Sequence, residues 1–66
     1  MHYRFRVRGR LSKTLLAAFP ELRAQELGAE TYLAGQLPDQ AALFGVLDRI
    51  EALGLELLEV LSMEDH

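Results

Sequence analysis

The sequence has no cysteine and no tryptophan, and it has only two histidines and two prolines. No apolar run approaches the ~20 residues needed to span a bilayer. Without cysteine there is no disulfide framework, no thiolate nucleophile and no thiolate zinc site. His2 and His66 stand at the two ends of the chain, where the rigid frame that acid–base catalysis needs is hard to build. Neither Ser12 nor Ser62 has a His–Asp pair close in sequence. Glycines at positions 9, 28, 35, 45 and 54 form neither a GxxxxGKS loop nor a GxGxxG turn. Glu56, Glu59, Glu64 and Asp65 lack the spacing of a calcium loop and read as a solvated acidic face. The expectation is therefore a non-enzymatic protein with no catalytic residue, no metal site and no cofactor.

Basic residues are in the minority. Seven Lys and Arg against ten Asp and Glu give a net charge of −3, which works against general nucleic-acid binding. The N-terminal stretch alternates arginine with apolar residues and lacks the continuous apolar segment of a secretory signal, so a cytoplasmic location with no membrane partner is expected.

What is present suits one small folded domain. Sixty-six residues allow a single domain, read here as residues 1–61 followed by a polar tail, 62–66. Half of the residues are hydrophobic, enough for a core. A chain this short buries only roughly 60% of its unfolded surface. Its stability must come from tight packing or from self-association.

Tyr3, Phe5 and Val7 alternate with Arg4, Arg6 and Arg8, a period-two strand with one apolar side. A short helix of about two turns is expected over residues 11–20, capped by Ser12, with Leu15, Leu16 and Phe19 on one face and Pro20 ending it. Residues 22–27 and 31–37 read as a hairpin about Gly28-Ala29, of uncertain register because the alternation is weak. Asp39 caps the strongest helix, in which Leu43, Val46, Leu47, Ile50 and Leu53 share a face. Gly54 suits its C-terminal cap, and residues 55–61 form a last strand.

The order β-α-β-β-α-β predicts an α+β domain of ferredoxin-like type. It would have a short first helix and a four-stranded antiparallel sheet with the long helix on one face. The alternative is a β-meander, a helix and a fourth strand, if the first helix is too short to carry the chain across the sheet.

Three surface features stand out. The first is the arginine row Arg4, Arg6 and Arg8, a candidate site for an anionic ligand. It reads more simply as a row paired with Glu26, Glu30, Glu56 or Glu59 on neighbouring strands. Tyr3 and Phe5 have the opposite parity, so the aromatic platform of a single-strand-binding sheet is missing and nucleic-acid binding is disfavoured. The second is the last strand, apolar on both parities: Leu55, Leu57 and Leu61 on one, Leu58 and Val60 on the other. A sheet covered on one side needs only one apolar parity, so a second copy is expected over Leu58 and Val60. The third is Phe44, at the margin of the helix's apolar face, a candidate interface residue on a smooth surface left by Ala41 and Gly45. Tyr32 and Asp39 could line a small pocket.

The stretches Tyr3-Arg4-Phe5-Arg6-Val7-Arg8-Gly9-Arg10-Leu11-Ser12, Leu37-Pro38-Asp39-Gln40-Ala41-Ala42-Leu43 and Leu53-Gly54-Leu55-Glu56-Leu57-Leu58-Glu59-Val60 resemble a group of short uncharacterised proteins from actinobacteria. The likeness runs to about Val60. It implies a single domain in a bacterial cytosol and carries no catalytic or ligand-binding residue across. In that group histidine often stands at the position of Phe44, so an activity needing it would be absent here.

The functional expectation is a protein-interaction or regulatory module acting as a homodimer. The alternative is a domain binding a small anionic ligand, and nucleic-acid binding through the arginine strand ranks third.

Overall fold

The computed structural model describes residues 1–63. Four strands and two helices follow the order β1 (His2–Arg8), α1 (Lys13–Leu16), β2 (Arg23–Leu27), β3 (Glu30–Gln36), α2 (Gln40–Ala52) and β4 (Leu57–Ser62). The strands form one antiparallel sheet in the order β2-β3-β1-β4, an α+β architecture. Two strands that are both antiparallel to a third are parallel to each other. β1 and β2 therefore run parallel with β3 between them, and β3 and β4 run parallel with β1 between them.

β3 separates β1 from β2, so the meander with strands one and two paired directly is not formed. The fourteen residues 9–22 make the crossover with a single helical turn. α1 is shorter than the two turns expected, although Ser12 caps it by accepting from the Leu15 amide at 3.2 Å. Beyond Leu16 the amides of Ala18 and Phe19 bond three residues back, tightening the chain before Pro20, which disfavours helical geometry at Phe19.

The core lies between one face of the sheet and the helical layer. Phe5, Val7, Leu33, Val46, Ile50, Phe19, Leu37 and Leu11 are buried, as alternation on β1 and the 3.6-residue period of α2 require. Leu15 and Leu16 pack against this cluster from the crossover. Leu53, expected on the buried stripe of α2, is 39% exposed. The helix has already ended: the Gly54 amide bonds Glu51 O and the Leu55 amide bonds Ile50 O, with Gly54 at φ 73°. This is a Schellman cap, and it turns Leu55 rather than Leu53 back onto the core.

β4 carries the chief correction to the sequence reading. Its register against β1 shifts between Arg6 and Val7: Arg6 stands opposite Glu59, but Val7 stands opposite Leu57. An extra residue at this bulge reverses which parity faces inward. Leu55 and Val60, of opposite parity, therefore both pack against the core. Part of the strand's two-sided apolar pattern is thus a one-sided strand with a bulge in it.

Candidate functional site

The face of the sheet turned away from the core is built by register. Arg6 lies opposite Tyr32, which in turn lies opposite Gln25; Arg4 lies opposite Ala34, which lies opposite Arg23. Directly opposed residues share a face, so Arg23, Gln25, Tyr32, Ala34, Gln36, His2, Arg4, Arg6 and Arg8 all stand on the side without helices. From β4, Glu59 and Leu61 join them opposite Arg6 and Arg4.

This face divides into two electrostatic halves. In one, the arginine row is compensated: Arg6 meets Glu30 at 3.1 Å and Glu59 at 3.4 Å, and Arg8 meets Glu56 at 2.9 Å. The hydrogen bond to Glu30 is the main reason the Arg6 guanidinium is held above its ordinary pKa. Glu26, proposed from sequence as a partner, pairs with Thr31 and so takes the parity of the core face. The other half is cationic. Arg4 and Arg23 flank Ala34 from its two sides, and among the described residues neither has a carboxylate within ion-pair distance. The Arg4 guanidinium lies 5.2 Å from the centre of the Tyr32 ring, a cation–π contact.

A trough of ≈ 910 Å³ opens over this cationic half, lined by His2, Arg4, Arg23, Gln25, Tyr32 and Gln36 among others. Among the described residues the one carboxylate in its lining is Glu21, and Arg49 holds it in a two-point ion pair. Arg49 also donates to the Ala18 carbonyl at 2.6 Å and lies 5.3 Å from the centre of the Phe19 ring. The crossover is thereby latched to α2, and the pairing holds the Glu21 carboxyl below its ordinary pKa.

Of Arg4, Arg6 and Arg8, grouped from sequence as one anion site, Arg4 alone has no ion-pair partner among the described residues. Arg23 joins this face without having been singled out from the sequence. The signal was the parity of β3, where Thr31 and Leu33 are the inward residues and Tyr32 and Ala34 therefore the outward ones. Tyr32 and Asp39 do not form a pocket together: Asp39 caps α2 by accepting from the Ala42 amide at 2.9 Å, on the other side of the sheet.

The interface candidates separate. Phe44 is 55% exposed on α2. Leu58 is half-buried at the bulge, and Val60 packs against the chain's own core with part of its surface left open. Leu57, Leu61 and Met63 are the exposed apolar residues of the β4 region. Ser62, assigned to the tail, is the last residue of β4 opposite Tyr3. Glu64, Asp65 and His66 lie outside the described residues, while Glu56 and Glu59 are engaged by Arg8 and Arg6. No helix among the described residues is long and apolar enough to cross a membrane.

A family described as a domain of unknown function (DUF8691) matches residues 2–61. Comparison with curated proteins and with solved structures gives no match.

Proposed function

The chain belongs to the DUF8691 family, a domain of unknown function, and on that premise we propose that it is a non-enzymatic interaction module working as a homodimer through the edge of β4. One observation carries this reading. Of the seven large apolar side chains exposed among the described residues, three (Leu57, Leu61 and Met63) belong to the last strand and the residue that follows it. β4 is an edge strand whose outer backbone groups are free to pair with another strand.

Antiparallel pairing of two β4 edges about Val60 brings the exposed Leu61 side chains of the two copies onto the open face, one on either side of the two-fold axis. It also covers the open part of Val60 and keeps Glu59 from facing its own copy, a like-charge pairing that destabilises. A sheet continued in this way has eight strands and gains core at its middle, which a chain of 66 residues needs. Leu58 then lies at the margin of the joint and Phe44 outside it, free for a further protein partner.

The strand order, with each helix joining two parallel strands that flank a third, supports assigning the ferredoxin-like β-α-β-β-α-β arrangement. A single lysine among seven basic residues fits the actinobacterial resemblance and hence a bacterial cytoplasm.

Light scattering across a wide protein concentration range tests the dimer, with Leu61→Glu as the variant. The expected result is a wild-type dimer and a folded monomeric variant. A wild-type chain of monomer mass at every concentration overturns the proposal.

A further inference from the structure

We infer that the cationic half of the open sheet face is a binding site for a small phosphorylated ligand, held between Arg4 and Arg23 above Ala34. The geometry begins with the register. Both arginines stand directly opposite Ala34, one on each neighbouring strand, so their Cα atoms are about two strand spacings apart, roughly 10 Å. Each side chain is long enough to lean toward the other, and alanine between them presents only a methyl group. The Arg4 guanidinium sits over the Tyr32 ring, two residues along β3 from Ala34, and an anion with several oxygens that reaches across the low floor can accept from both arginines at once.

The surroundings select for a phosphate on a small molecule. Tyr32 steadies Arg4 through its ring, which reduces the freedom that guanidinium loses on binding. Gln25, Gln36 and His2 add polar groups around the trough for the rest of the ligand. Glu21 does not oppose the anion with a free charge, because Arg49 holds it. Along the same face the neighbouring half carries Glu30, Glu59 and Glu56. An extended polyanion lying along the sheet would run onto those carboxylates, whereas a single phosphate group between Arg4 and Arg23 stops short of them. The chain's net charge of −3 acts in the same direction.

This site is independent of the dimer. Arg4 has Leu61 of β4 beside it, but Arg23 stands on β2 at the far edge of the sheet, so the Arg23→Gln titration and the Leu61→Glu light scattering can fail separately.

The test is an amide chemical-shift titration of the full chain with inorganic phosphate and with a ribonucleoside monophosphate, at constant ionic strength set with chloride. The same titration is run on Arg23→Gln, Arg4→Gln and, as a control, Arg8→Gln. Arg23 is exposed on an edge strand, so its variant tests the site without threatening the fold. The expected result is saturable shifts confined to β2, β3 and the Arg4 region. Affinity should fall about tenfold or more in Arg23→Gln and Arg4→Gln and stay unchanged in Arg8→Gln. Shifts that do not saturate, or that survive Arg23→Gln, overturn the site. A short single-stranded oligonucleotide that binds more tightly per phosphate than the mononucleotide overturns the small-ligand assignment in favour of nucleic acid.

Discussion

At the scale of single residues, Gly35 shows how a position can be fixed by its neighbours rather than by its own backbone. It lies on the core side of β3, opposite Tyr3, where the crossover passes close over the strand. A Cβ at this position would come within 2.7 Å of the Glu21 carbonyl oxygen and 3.0 Å of a Leu22 methyl group. The carbonyl belongs to the backbone and cannot swing away. Gly35→Ala is therefore expected to cost about 1–3 kcal/mol, read as a lower urea midpoint at unchanged slope. An unchanged midpoint would mean that the crossover stands further from the sheet. Thr31 is the complementary case: fully buried, it spends its hydroxyl on the Gly9 carbonyl at 2.7 Å, so its polar group is satisfied inside the core.

At the scale of elements, the ion pair between Glu21 and Arg49 ties the crossover to α2 across a gap of 28 residues in sequence. Its consequence is a pH dependence of stability. The hydrogen bond from Arg49 depresses the Glu21 pKa in the folded state, so near the ordinary carboxylate value, about 4.3, the unfolded chain binds more protons than the folded one. The contribution is fully present above that value and is lost as pH falls through the folded pKa. Because both side chains are about one-third exposed, solvent screens the pair and the effect is modest. Urea unfolding as a function of pH should show Glu21→Gln less stable than wild type at neutrality, with a shallower loss of stability below pH about 4.3. Parallel acid limbs for the two proteins would show that Glu21 does not contribute.

The elements also show where sequence is readable. Ser12, Asp39 and Gly54 signal their caps because a cap is decided within a few residues. The inward side of β1 and the stripe of α2 follow from periodicity, and Phe5, Val7, Val46 and Ile50 are buried as that periodicity demands. The bulge of β4 was not legible. Leu57-Leu58 reads as two consecutive apolar residues of opposite parity, and only pairing with β1 decides that Leu55 and Val60 face the same way. Arg23 was likewise invisible as a companion of Arg4, because that grouping depends on which strands are neighbours. The latch from Arg49 to Glu21 depends on tertiary distance and leaves no local signal.

At the scale of the whole molecule, the two edges of the sheet differ. β2 is short, exposed along its length and carries Arg23 and Glu26, features that discourage pairing with another strand. β4 carries Leu57 and Leu61 and is followed by Met63, all exposed. The proposed self-association uses one edge and leaves the trough beside the other free for a ligand. Amide hydrogen exchange at low and high protein concentration tests this assignment most directly. The outward amides of β4 are expected to become protected as concentration rises while those of β2 continue to exchange rapidly. Fast exchange along both edges at every concentration, or protection that develops on β2 alone, would contradict it.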